Sequence, residues 1–327
     1  MTGWETTLDC RAAAEILRKH GARHIAVCSA VRNLALLSGY FDLGFAAVVP
    51  DPDDSELSRP PFRERTYSLS DVPPEIDGLI IVDAEGFRAL MRRLEPLARR
   101  GCLILPALSD WVVPRSLREG DAMHTAWNTT AAANYLARCN LKGHYLEFGA
   151  FWGASFFPNY FRFRHWLRGS FFAWDSFRGL SAPHPDETRF TGGDFQAGAY
   201  CSNDRSFAAL ADLLGMPQDR LSIIPGFFEK TLQGVSPSTY NLEAGSVSVC
   251  YIDCDLKEPT TQALNFAGPL LEPGALLYFD DWRLCRGSRQ VGERAAALEW
   301  LDNNPDIELV EFDREAWQNQ WFIFQRR

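Results

Sequence analysis

Four aspartates carry the strongest chemical signal in this 327-residue chain. Asp253 and Asp255 follow the apolar run Val247-Ser-Val-Cys-Tyr-Ile252, and Asp280 and Asp281 follow Ala275-Leu-Leu-Tyr-Phe279. Each run reads as a buried strand that ends in carboxylates, and residues 258–271 between them read as a helix. Such a crossover makes the two strands parallel and puts all four acids at one edge of the sheet. Ligands of open α/β sheets bind at that carboxyl edge. Carboxylates crowded there repel one another unless they take up a cation or a proton, and a divalent metal is the simplest resolution.

Other residues upstream have the right types to hold a small ligand. Glu147-Phe-Gly-Ala-Phe-Trp-Gly-Ala-Ser155 follows a short apolar strand. Gly149 and Gly153 would let the backbone turn tightly beneath a ligand. Helix N-terminal amides and Ser155 would meet a carboxylate, and Glu147 would accept from an ammonium. Those are the two ends of an amino acid; the same loop is also an ordinary strand-to-helix turn packed by glycine. The next strand ends at Asp175, where an acid is well placed for ribose hydroxyls. Together the loop and the two acids favour S-adenosylmethionine. Gly226 and Phe227, after a third strand, would wall an adenine ring, although aromatics at strand ends more often belong to the core. Ser181 to Tyr200, rich in proline, glycine and polar residues, is expected to cover the site as a mobile lid, with His184 and Asp194 either facing substrate or solvated.

The elements that must position these residues fall into two halves. Residues 1–110 contain short apolar strands at 24–28, 45–49, 78–82 and 102–105, with helical patterns at 9–20 and 85–100. Strands alternating with helices predict a small parallel sheet. The turn after its first strand, Ser29-Ala-Val-Arg-Asn-Leu34, has no glycine before Gly39, so the phosphate loop of a nucleotide-binding unit is missing. Asp51 ends the second strand, and a Pro-rich loop spans 50–63. A junction at 111–130 leads to a second domain at 131–327, with strands at 145–148, 171–174, 221–224, 247–252 and 276–279. Its last two strands, 307–312 and 321–324, are close enough in sequence to be antiparallel.

Bulk properties limit the function classes. A chain that is 46% hydrophobic and 23% charged suits a globular protein. No apolar run reaches the roughly 18 residues of a membrane span, and the N-terminus does not look like a signal peptide. A net charge of −9 argues against a nucleic-acid backbone as main partner. Eight cysteines without a CxxC pair point to a reduced, cytoplasmic context. Cys250 and Cys254 read better as buried small hydrophobes than as zinc ligands. No Walker loop, HExxH or GxSxG motif is present.

The second half resembles the macrocin-type metal-dependent sugar O-methyltransferases, within the class I S-adenosylmethionine-dependent methyltransferases. Four blocks carry the resemblance: Leu146 to Ser155, Trp174-Asp-Ser-Phe-Arg-Gly-Leu180, Pro225-Gly-Phe-Phe-Glu-Lys-Thr-Leu232, and Ile252-Asp-Cys-Asp-Leu-Lys-Glu-Pro-Thr260 with Pro273 to Trp282. The resemblance implies an α/β fold whose mostly parallel sheet ends in an antiparallel strand. It implies Mg²⁺ held by Asp253, Asp280 and Asp281, with Asp255 as general base. It implies S-adenosylmethionine held by Glu147, Gly149, Gly153, Ser155, Asp175 and Ser176, with Gly226 and Phe227 beside them. The substrate implied is a sugar-containing small molecule, and a homo-oligomer stays open. Lys257 stands where the family usually has tyrosine, Ser181 replaces its usual proline, and the first half replaces a short helical segment. That half is similar to small Rossmann-like domains fused to some sugar-modifying enzymes. Two other readings remain: a catechol-type O-methyltransferase, and a non-catalytic S-adenosylmethionine-binding module.

Overall fold

The computed structural model describes residues 3–28, 45–49, 66–82, 84–106, 131–314 and 316–327. In chain order its elements begin with α1 (Gly3–Lys19), β1 (Ile25–Cys28), β2 (Ala46–Val49), β3 (Thr66–Ser68), β4 (Gly78–Ile81), α2 (Ala84–Arg99), β5 (Leu103–Pro106) and α3 (Ala131–Cys139). Then come β6 (His144–Phe148), α4 (Phe156–Phe163), β7 (Phe171–Asp175), α5 (Pro185–Phe190), α6 (Asp204–Leu213), β8 (Leu221–Pro225) and α7 (Phe228–Thr231). The chain continues through β9 (Val247–Ile252), α8 (Lys257–Ala267), β10 (Leu271–Phe279), α9 (Gly292–Asn303), β11 (Ile307–Asp313) and β12 (Gln320–Arg326). It forms two compact units: Met1–Pro114 with Tyr200–Met216, and Arg115–Ala199 with Pro217–Arg327.

The first unit is built on a parallel sheet of order β3-β2-β1-β4-β5. Every residue of β1, β4 and β5 is buried. That explains why they read as continuous apolar runs instead of alternating ones. The edge strand β3, Thr-Tyr-Ser, was not expected from the sequence. The turn at 29–34 with Gly39, Asp51, the loop at 50–63 and the junction at 111–130 lie outside the described residues. The helix α6 comes from the second half of the chain and packs in this unit. Its Phe207, Ala209, Leu210 and Ala211 are buried. Ser206 Oγ accepts from the Ile104 amide at 2.9 Å, occupying a backbone donor on the open side of β5.

The second unit carries a seven-stranded sheet of order β11-β12-β10-β9-β6-β7-β8. Five strands run parallel, and β12 enters antiparallel between β10 and β11. Alternation along the strands separates two faces. Leu146, Phe148, Trp174, Ile252, Leu277 and Phe279 form one core with Leu264 and Phe266 of α8 and Trp300 of α9. On the other face Tyr145 meets Phe156 and Phe163 of α4, with ring centroids 5.9 and 6.1 Å apart. That second face also carries Glu147, Tyr251 and Tyr278, in register with one another across β6, β9 and β10.

Candidate active site

The acid-ended strands are placed as their sequence predicts. β9 stops at Ile252 and β10 at Phe279, these two residues pair, and the Asp280 amide donates to the Ile252 carbonyl at 3.0 Å. All four aspartates therefore leave the sheet at its carboxyl edge. Adjacent residues on a strand face opposite ways, and Asp280 and Asp281 do find different partners. Asp280 Oδ1 accepts from the Tyr278 hydroxyl at 2.7 Å, whereas the Asp281 side chain lies against Asp255. Asp255 sits in the left-handed region at φ +63°, a strained conformation for a residue with a side chain.

The electrostatics are those of acids in excess. Burial drives all four aspartates above the ordinary carboxylate range. The neighbouring Asp280 charge adds to this for Asp253, and Asp281 does so for Asp255. Asp281 is pushed up to about 7, by burial and then by Asp280. For Asp280, hydrogen bonds from Tyr278 and Gln318 oppose the effect of burial. Lys257 does not relieve the cluster; its ammonium pairs with Glu299 at 2.8 Å. An all-oxygen donor set with unrelieved negative charge fits a hard divalent cation. Among the described residues, no three acidic, histidine or cysteine side chains converge on one metal position.

The glycine loop is tied to the same edge. Gly149 has φ +96°, and a Cβ there would lie 1.7 Å from the Asp253 carbonyl oxygen. Only glycine lets this loop pass the end of β9, so its presence is explained by backbone packing as much as by any ligand. Gly153 also has positive φ, at +78°. Ser155 donates to Glu147 Oε1 at 2.6 Å, and the Tyr145 hydroxyl, which accepts from Asn159 at 2.9 Å, bonds the other oxygen. Glu147 is fully buried, and burial raises its pKa to about 8 against these two hydrogen bonds.

Asp175 joins three loops. Its carboxylate accepts from the amides of Phe151 at 2.7 Å and Phe177 at 2.5 Å, and its carbonyl accepts from the Gly226 amide at 2.8 Å. Phe151 and Phe177 both have positive φ, +48° and +53°. Burial lifts Asp175 to about 6, opposed by the two amides. Each carboxylate oxygen keeps a further lone pair for a hydroxyl donor. Gly226, at φ +140°, and the half-buried Phe227 lie beside Asp175. Ser176 is engaged locally: its hydroxyl donates to the Gly179 carbonyl at 2.7 Å and accepts from the Arg178 amide at 3.0 Å.

Two buried glutamates were missed in the sequence. Glu187, in α5, is 2% exposed; Oε1 accepts from the amides of Lys257 at 2.7 Å and Gly292 at 3.1 Å, and Oε2 from His184 at 2.8 Å. The segment expected to be a lid is thereby fastened to the starts of α8 and α9, and the His184 ring caps α5 by accepting from the Asp186 amide. Glu293, in the first turn of α9, is fully buried and accepts from the amides of Cys254 and Asp281, both at 2.9 Å. The only sequence signal for either is an acid in a helix first turn, which ordinarily complements the helix dipole at the surface. Cys250 and Cys254 belong to the apolar core.

The chain has relatives among known proteins. The family model for macrocin-O-methyltransferase (TylF) matches residues 126–310, more than half of the chain. A curated relative is the 8-demethyl-8-(2,3-dimethoxy-alpha-L-rhamnosyl)-tetracenomycin-C 4'-O-methyltransferase of Streptomyces olivaceus, 35% identical over 74 residues. The match spans 22% of this chain and 26% of that protein, so only about a quarter of the relative is represented. Among solved structures, the O-methyltransferase NovP is 18% identical with a TM-score of 0.47, covering 63% of this chain and 79% of NovP. CalS11, a calicheamicin methyltransferase, is 19% identical with a TM-score of 0.49, covering 74% of this chain and 93% of CalS11. Among the described residues no helix is long and apolar enough to cross a membrane. On the extent of the family match, the chain belongs to the macrocin-O-methyltransferase family.

Proposed function

We propose that this chain is a Mg²⁺-dependent O-methyltransferase that moves a methyl group from S-adenosylmethionine to a hydroxyl of a sugar-containing small molecule. One observation carries the reading beyond family membership. The glycine loop, Asp175 and the four aspartates share a single carboxyl edge, where the Gly149 backbone packs on the Asp253 carbonyl. A methyl donor and an ion held there would be neighbours.

When bound, S-adenosylmethionine supplies an electrophilic methyl and a divalent cation makes a sugar hydroxyl more acidic. The chain's own part is to hold and orient. Asp253, Asp280 and Asp281 would hold the ion. Glu147 would accept from the ammonium of the methyl donor, with Gly149, Gly153 and Ser155 around its carboxylate. Asp175 and Ser176 would receive the ribose, and Gly226 and Phe227 the adenine. Asp255 would take the proton from the acceptor hydroxyl. Alignment of reacting atoms is the main source of acceleration, and in favourable cases it is worth about 7–11 kcal/mol.

The test is incubation with S-adenosylmethionine, Mg²⁺ and a panel of nucleotide-sugars and glycosides, read by mass spectrometry. The expected product is a sugar heavier by one methylene unit, absent in EDTA. Asp280→Ala should abolish turnover and leave S-adenosylhomocysteine affinity unchanged. Full activity of the wild type in EDTA would sink the metal reading. Product from a catechol and none from any sugar would transfer the chain to the catechol type.

A further inference from the structure

The two acid-bearing loops are joined by one side chain that the proposed reaction does not use. Glu293 is fully buried, with one oxygen on the amide of Cys254, between Asp253 and Asp255, and the other on the amide of Asp281. The strand ladder fixes the register of β9 against β10 only as far as Ile252 and Phe279, with one more hydrogen bond at Asp280. Beyond it, this carboxylate accepts from the Cys254 amide on one loop and from the Asp281 amide on the other. Its own position is set by the start of α9. There Gly292 has φ +78°, a Cβ would meet Cys285 at 3.0 Å, and the amide donates to Glu187. The chemistry of the clamp is specific. Two N–H donors need two acceptor oxygens; a glutamine offers one and sets an NH₂ against the other donor. Burial and the Asp281 charge push this carboxyl above the ordinary range, and its two hydrogen bonds to backbone oppose that shift without cancelling it.

We propose that Glu293 is a positioning residue: it sets the spacing between the Asp253/Asp255 loop and the Asp280/Asp281 loop, and so controls how well these acids gather around a divalent ion. The readout rests on the metal reading given under Proposed function. The experiment is an Mn²⁺ titration of wild type and Glu293→Gln followed by electron paramagnetic resonance. S-adenosylhomocysteine affinity and the thermal midpoint are measured on the same samples. Residues that support metal ligands typically change affinity by about 10–100-fold when replaced, so a loss of at least about ten-fold is expected in a variant that melts cooperatively and keeps its S-adenosylhomocysteine affinity. Unchanged Mn²⁺ affinity in folded Glu293→Gln overturns the proposal. If that variant does not fold, amide exchange in the wild type decides. Protected Cys254 and Asp281 amides support the clamp, and rapid exchange at either removes it. A wild type that binds no Mn²⁺ defeats the metal reading, and the exchange result then judges the clamp alone.

Discussion

Glu147 shows how one residue can be recognised by position while its state depends on surroundings the sequence does not display. The end of the first strand of the second unit marked it as an acid for an ammonium. That it is fully buried, bonded to Ser155 and Tyr145, and raised to about 8 follows only from packing. The shift has a measurable consequence. Near pH 7 the ligand-free carboxyl is mostly protonated, because its folded pKa lies above the ambient pH. An ammonium brought against it favours the charged form and lowers that pKa. Binding of S-adenosylhomocysteine near pH 7 should therefore release a proton, and the release should fade above about pH 9, where the free group is already ionised. Calorimetry in buffers of different ionisation enthalpy reads the proton count. Uptake, or no exchange near pH 7, would mean that Glu147 meets no cation. Gly149 teaches the complementary lesson. Its glycine was legible, but the Asp253 carbonyl that forbids a Cβ lies just past the end of β9, far along the chain.

At the scale of elements, the long-range pattern was legible where one physical rule dominates. Apolar runs ending in acids gave β9 and β10, and a short connection gave the antiparallel pair β11 and β12. Three-residue β3 was not, since its Thr-Tyr-Ser has no run or alternation long enough to register. Nor was the fastening of the 181–199 segment, because an acid three residues after a cap looks the same whether it faces water or a buried pair of amides. In the structure Glu187 serves three amides, on α5, α8 and α9. Glu187→Ala leaves those donors without their acceptor, and a buried donor so stranded costs about 1–3 kcal/mol. The expected outcome is a cooperative melt lowered by several degrees, with faster exchange at Lys257 and Gly292, and with Glu187→Gln between the variant and wild type. An unchanged melting temperature in Glu187→Ala would show that water replaces the carboxylate without penalty, and that the segment is not held by it.

At the scale of the whole molecule, the division of the chain does not follow its order. The sequence suggests two consecutive halves, and in the first it marks four of the five parallel strands of the sheet, all but β3. It gave no address to Tyr200–Met216, which groups with the first unit. An amphipathic helix announces that one face will be buried, not against which sheet. Within that unit α6 buries Phe207 and Leu210, caps the Ile104 amide through Ser206, and places Asp212 against Lys19 at 2.6 Å and His20 at 2.9 Å. Asn203 adds a hydrogen bond to the Ala98 carbonyl at 3.2 Å. The exposed pair Lys19–Asp212 contributes little, about 0–1 kcal/mol. The buried apolar side chains contribute more, about 1.5–3 kcal/mol each. Small domains are stable by only about 5–15 kcal/mol in total, so losing this helix removes a large share. A chain ending at Pro114 should therefore lack a cooperative thermal transition and bind a dye for exposed apolar surface. The same chain with Tyr200–Met216 joined through a flexible Gly/Ser linker should recover the transition. Circular dichroism melts of the two settle it. A sharp, equal melt without the appended segment would mean that the first unit is complete in its own sequence and that α6 is only a passenger on it.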